Sequence, residues 1–278
     1  MIDMLFIADF FADQVPGGGE LNNDVLINRL VARGHKVRRL NSHLVSEQDI
    51  ISSEAIIVSN FVNLSEKNKE MLQNKNYIIY EHDHKYLPSR NPAAYANYKA
   101  PKDQIINRKF YMNASMVLCQ SKFHFDIIKR NLELENILSL GGNLWTEQQF
   151  ASLEKLSSSP KTDTYAIMDS PIAHKNTHEA VQYCETLGLD YNLISPAPPT
   201  VFLRNLGAHS TFVFFPKTPE TLSRVVVEAR MMGMKTKTTN NIGAIHEQWF
   251  NKKGLDLIDY MRYKQGEIEN NVLESLNV

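Results

Sequence analysis

What this chain lacks narrows its class before any motif is considered. It has two cysteines in 278 residues, Cys119 and Cys184, each inside an apolar segment, so no disulfide framework holds it together. There is no C-x-x-C pair, no G-x-S-x-G and no Cys/His nucleophile pairing, which removes the usual signatures of redox and hydrolase chemistry. No basic leader with a small-residue cleavage site opens the chain, and together with the cysteine usage this predicts a reducing cytoplasm. The longest early apolar run, "MIDMLFIADFFA", carries Asp3 and Asp9 and falls short of the roughly 20 apolar residues a bilayer span needs, so no membrane span is expected. Charge of one sign is also missing. A net charge of -1 without a Lys/Arg run leaves no strong electrostatic footprint for nucleic acid or an anionic membrane. Low-complexity tracts and short-period repeats are absent.

What is present is an alternation of short apolar runs with amphipathic stretches, the pattern of βα units. The first half offers strands at 4–8, 36–40, 55–59, 77–81, 115–119 and 137–140. The clearest helix runs from Glu20 to Arg33, ended by Gly34, and Ser65 and Ser121 are placed to cap two others. The polar, serine-rich stretch 151–163 reads as a linker between residues 1–150 and 164–253. The second series has strands at 165–168, 191–194, 211–215 and 235–239, with helices near 175–187, 200–207 and 223–232. A helical tail, 254–278, is placed to cross back to the first domain. The expected fold class is α/β, two Rossmann-like doubly wound domains facing a cleft, with ligands at the carboxyl ends of the strands.

Two stretches point to a ligand. After the first strand, Gly17, Gly18 and Gly19 precede a helix; glycines allow close backbone approach, and a helix amino end carries unpaired N–H groups that suit a phosphate. A plain loop and helix start is an equal reading, since neither G-x-G-x-x-G nor a Gly-Lys-Ser/Thr loop is present. In "FFPKTPETLSRVVVEARMMG" (214–233), Glu220 lies in a loop, Ser223 is placed to cap a helix, and Glu228 falls in its second turn. Val225, Val226, Ala229 and Met232 form the face expected to bury. Two carboxylates flanking a helix amino end suit a nucleoside diphosphate sugar, with hydroxyls at both ends and phosphates between them.

The order of "GGGE" (17–20), "RGHKV" (33–37), "MVLCQS" (116–121), "LGGN" (140–143), "HKN" (174–176), "PETLSRVVVEARMMGMK" and "NNIGA" (240–244) resembles the retaining GT-B glycosyltransferases, the E-x7-E type that includes sucrose synthase-like and mannosyl-transferring enzymes. The resemblance implies that Glu228 holds the ribose and Glu220 the donor sugar. It places Lys175 on the diphosphate, whereas the usual arginine position appears as Ser170, with Arg224 the candidate substitute. A histidine of "YEHDH", His82 or His84, would approach the acceptor. His174 and His178 lack the glutamate a zinc protease needs between them, and no metal is expected, because helix dipoles and Lys175 can neutralise the diphosphate. The implied activity is transfer of a sugar, with retention, from a nucleotide sugar to an unidentified glycan, lipid, protein or modified nucleobase. A non-catalytic scaffold is the alternative that Ser170 suggests. An enzyme of modified DNA bases is a further one, with Arg38, Arg39, Lys99 and Lys102 as its local basic face.

Overall fold

A computed structural model of the chain describes residues 2–278. Ten strands are present among the described residues, and all pair in parallel. The chain divides into two units: residues 1–144 with 265–278, and residues 145–264.

The first unit carries β1 (Asp3–Ala8), β2 (Lys36–Asn41), β3 (Ala55–Val58), β4 (Tyr77–Glu81), β5 (Met116–Cys119) and β6 (Ile137–Ser139) in the sheet order β2-β1-β3-β4-β5-β6. Its helices are α1 (Gly18–Ala32), α2 (Glu47–Ser52), α3 (Glu66–Leu72), α4 (Arg108–Asn113) and α5 (Lys122–Leu132). The sheet is buried on both faces, which is why its central strands read as unbroken apolar runs. Along β1, Leu5 and Ile7 join a core with Ile50, Leu72, Phe110, Tyr111 and Ile127. Met4, Phe6 and Ala8 face the other way, onto Val25, Leu26 and Leu30 of α1. Ser65 and Ser121 cap α3 and α5 as their positions predict, accepting from the backbone N–H of Asn68 and His124.

The second unit holds α6 (Glu147–Ser157), β7 (Thr162–Met168), α7 (Thr177–Thr186), β8 (Tyr191–Ile194), α8 (Pro199–Leu206), β9 (His209–Phe214), α9 (Arg224–Met231) and β10 (Lys235–Thr238), with sheet order β10-β9-β7-β8. Phe212 and Phe214 of β9 pack on the face shared with α9, while Val213 turns to Ala180 and Cys184 of α7. The three valines 225–227 are helical: Val226 and Val227 are buried, with Ala229 and Met232, and Val225 is half-buried.

One expectation needs correction. The stretch 151–163 is no linker, since residues up to Ser157 belong to α6 and Thr162 already opens β7. Thr146 and Gln149 form a capping box at its start, and Phe150 and Leu153 bury completely, so the serine-rich stretch begins inside an amphipathic helix whose own serines, Ser152 and Ser157, are half-buried. The division therefore falls at Leu144 and Trp145. The tail, as expected, is helical and returns to the first unit, as one helix, α10 (Leu255–Ser275), whose residues from Gln265 onward belong to that unit. Leu257, Ile258 and Met261 join the core of the second unit, and Ile268, Val272, Leu273 and Leu276 that of the first. Glu269 is almost buried there and meets Arg29 and Arg33 of α1 at 2.7 and 2.6 Å. Among the described residues no helix is long and apolar enough to cross a membrane.

Candidate functional site

In the second unit the strand order reverses between β7 and β9, the switch point where doubly wound sheets bind ligands. The loops leaving these two strands are tied to one another: the Lys217 N–H donates to the His174 carbonyl at 2.9 Å, and Asn176 Nδ2 to the Phe215 carbonyl at 2.9 Å. Lys175 Nζ lies 2.7 Å from Glu220 Oε1 and 5.8 Å from the centre of the Phe214 ring. The Glu220 backbone is pinned from both sides by "NNIGA", through its N–H to the Asn241 carbonyl (2.7 Å) and its C=O from the Gly243 N–H (2.9 Å). That explains why this segment belongs to the site although it contributes no charge: it fixes the direction of Glu220. Ser170 forms part of a turn, its hydroxyl accepting from the Ile172 N–H at 3.3 Å and its own N–H donating to Thr177 Oγ1 at 3.1 Å.

Ser223 does not cap α9 as its position predicts. Its φ of 71° places it in the left-handed region, its side chain makes no capping bond, and its buried Oγ has no hydrogen-bond partner. The sequence Leu-Ser-Arg must turn sharply here for α9 to start under the loop, and a non-glycine residue bears that strain, as happens at ligand sites. An orphaned buried hydroxyl beside a helix amino end is a donor waiting for an oxygen.

Glu228 is inward-facing, its side chain 11% exposed. Its Oε1 accepts from Arg224 Nε at 2.8 Å and from the Trp145 indole N–H at 2.9 Å. Arg224 lies with its guanidinium 4.6 Å from the centre of the Trp145 ring and donates to Gln149 Oε1 at 3.3 Å. Thus Arg224, expected on the diphosphate, has its guanidinium engaged with Glu228, Trp145 and Gln149. Glu220, Lys175, Ser170, Ser223, Arg224 and Glu228 all lie on loops and the one helix around a single switch point. Trp145 is the residue sequence reasoning missed; a lone tryptophan after "LGGN" carries no periodic or motif signal.

In the first unit Gly17 precedes α1 and Gly18 and Gly19 are its first residues. A Cβ on Gly17 would collide with the Glu20 carboxylate, whose Oε1 accepts from Asn60 Nδ2 at 3.3 Å. The amino end expected to take a phosphate therefore carries a carboxylate of its own, and burial raises the pKa of that group. Gly19 lets the His82 ring lie against the helix, at 3.4 Å from where a Cβ would stand. His82 Nε2 is 2.8 Å from Asn23 Oδ1, which also accepts from the Ser59 hydroxyl. His84 is 2% exposed, with neither ring nitrogen hydrogen-bonded, and meets His124 edge-on at 5.1 Å. Of the two candidate histidines, His82 alone adjoins the glycine-rich turn. His174 and His178 do not share a helix face, since His174 sits in a short turn before α7 and His178 within it. No group of three potential metal ligands occurs among the described residues.

Beneath His82 lies a buried ionic cluster. Glu81 pairs with Lys85, accepts from the Tyr111 hydroxyl, and is fully buried; Lys85 Nζ also donates to Asn60 Oδ1 at 3.2 Å. Burial, reinforced by the charge of Lys85, holds His82 and His84 well below the usual histidine range, and burial brings His124 down to about 3. Lowered folded-state values mean that only the unfolded chain takes up these protons as pH falls below about 6.5. Stability is accordingly intact above that pH and lost below it, by up to about 1.4 kcal/mol per pH unit for each histidine. Urea unfolding between pH 7.5 and 5 should show this loss, with a smaller slope in His124→Gln; equal slopes in parent and variant would contradict the assignment.

Two parallel doubly wound units of this kind define the GT-B class of fold. Comparison with solved structures agrees. The Anabaena protein HepE in complex with UDP and glucose is 13% identical, with 99% of this chain and 95% of that one covered and a TM-score of 0.55. An α-glucosyltransferase in complex with UDP and a 13-mer DNA containing an HMU base is 9% identical, with 99% and 95% covered and a TM-score of 0.54. Sucrose-phosphate synthase from Thermosynechococcus elongatus is 9% identical, with 100% and 94% covered and a TM-score of 0.57. At these identities the likeness establishes the fold. No family model and no curated protein matches the sequence.

Proposed function

We propose that the chain is a glycosyltransferase that moves a sugar from a nucleoside diphosphate sugar to a hydroxyl-bearing acceptor, with the donor seated in the second unit. The observation that carries this reading is the disposition of Glu220 and Glu228. Both carboxylates are turned inward, 16% and 11% exposed, on either side of the amino end of α9 and the orphaned Ser223 hydroxyl. Glu228 takes the ribose hydroxyls, Glu220 those of the sugar, and Lys175, Ser223 and the first amides of α9 receive the diphosphate. The charge that develops on the departing diphosphate meets donors already in place, so no metal is required for that step. His82 serves the acceptor side. Retention of configuration and a cytoplasmic setting complete the reading, which the nucleotide complexes of HepE and of the α-glucosyltransferase support by likeness of fold.

A non-catalytic scaffold is favoured by one feature, the missing arginine at Ser170, which Arg224 does not replace while it is held by Glu228. An acceptor in modified DNA is suggested only by the DNA in the α-glucosyltransferase complex. Against it, Arg38 is paired with Asp3 and Asp49, and Arg39 with Asp13 and Asp24, so half of the expected basic face is neutralised. A thermal-shift panel of UDP, GDP, ADP and TDP, with and without EDTA, separates enzyme from scaffold. One diphosphate at a hundred times its Kd should stabilise the protein by about 2.7 kcal/mol, with EDTA making no difference. Indifference to all four would reject the donor site.

A further inference from the structure

The Glu228 carboxylate is held by two groups on one of its oxygens. We propose that Trp145 and Arg224 are positioning residues for nucleoside recognition: by taking Oε1, they turn Oε2 toward the ligand and make the site select a ribose with free hydroxyls. This rests on the donor-site reading above.

The geometry supplies the argument. Arg224 and Glu228 are four apart on α9, so the pair alone could form on an isolated helix and would swing with the glutamate side chain. The indole N–H removes that freedom. Trp145 is 1% exposed, packed on Phe150, and stands outside α9, so its bond to Oε1 at 2.9 Å fixes the carboxylate to the body of the unit. Arg224 is fixed in turn by stacking on the same indole and by Gln149, which is itself held in the capping box of α6. Every member of the chain Gln149, Arg224, Trp145, Glu228 therefore has a set direction, and Arg224 Nε and the Trp145 indole N–H both donate to Oε1 of the carboxylate. Oε2 keeps its lone pairs. A carboxylate oxygen with two open lone-pair directions suits two vicinal hydroxyl donors, which is what a ribose offers and a dideoxyribose lacks. A sequence pattern that places Glu228 in a second turn says nothing of this, because Trp145 and Gln149 come from a segment 83 and 75 residues away from their partners.

The test compares UDP and ADP with their 2′,3′-dideoxy counterparts by titration calorimetry, on the parent, Trp145→Phe, Arg224→Met and Arg224→Lys. Two hydrogen bonds to a charged group together correspond to about 100-fold or more in affinity, so the parent should prefer the ribose form by that factor. Trp145→Phe and Arg224→Met should lose most of the preference, the ratio falling to within about threefold, while Arg224→Lys recovers part of it. A purely structural role would weaken ribose and dideoxyribose forms alike and leave the ratio where it was. Retention of the parental ratio in both Trp145→Phe and Arg224→Met overturns the inference and leaves the donor site standing. A parent that binds UDP or ADP without discriminating overturns the ribose role of Glu228 and this inference with it; a parent that binds neither overturns the donor-site reading as well. If Trp145→Phe fails to fold, the contrast of Arg224→Met with Arg224→Lys decides by the same ratio.

Discussion

Glu228→Ala is expected to weaken nucleoside diphosphate binding by about 100-fold or more and to destabilise the second unit at the same time. The binding loss follows from removing the acceptor of two charge-assisted hydrogen bonds, each contributing about 1.5–3 kcal/mol. The stability loss has a separate cause. Arg224, with a side chain 7% exposed, would keep its charge without the carboxylate that balances it, and stranding one member of a buried pair costs about 3–5 kcal/mol. Trp145 would lose its acceptor too. The effects separate in Glu228→Ala/Arg224→Met, which removes both charges: stability should return most of the way, whereas nucleotide binding should not. Titration calorimetry and urea unfolding on the three proteins decide it. An alanine variant that binds like the parent would remove Glu228 from the donor site.

The largest effect on the first unit is expected from Glu81→Ala. Glu81 is fully buried and its partner Lys85 is 2% exposed, so the single substitution leaves an ammonium in the core facing Asn60 Oδ1 and the Phe61 ring, without its paired carboxylate, and leaves the Tyr111 hydroxyl without its acceptor. A destabilisation of about 3–5 kcal/mol follows from the unpaired charge. In a unit of this size that is a fall of roughly 10 °C in melting temperature. Lys85→Met strands the opposite charge; burial already pushes the Glu81 pKa up, so a proton can neutralise the carboxylate and the loss should be smaller. The double variant Glu81→Ala/Lys85→Met should be less damaged than the alanine variant alone, because ionic partners in contact are not additive. Strict additivity in urea unfolding would show that the pair is not coupled.

The fold was legible because parallel strands buried on both faces have to be apolar throughout. "MLFIA", "AIIVS", "YIIYE" and "TFVFF" all stand out for that reason, and each agrees with its strand to within two residues at either end. Where a segment is buried on one face only, composition misled: α6 hides Phe150 and Leu153 while its serines, Ser152 and Ser157, stay half-buried, and the serines were more conspicuous than the period. At Ser223 the sequence suggested a cap because serine is the usual cap residue; the backbone instead turns left-handed there and leaves the hydroxyl idle.

By itself, then, the sequence determined two α/β units, the loops that end their strands, and a pair of glutamates beside one helix start. These are local properties, set by the alternation of apolar and polar residues and by spacing along a single element. Tertiary structure alone decided that Glu228 is gripped by Trp145 and Arg224, that "NNIGA" aims Glu220, that Glu20 covers the first glycine turn, and that α10 divides its apolar face between two cores. Each of those contacts joins residues far apart in the chain or depends on a side-chain direction, and neither leaves a period in the sequence.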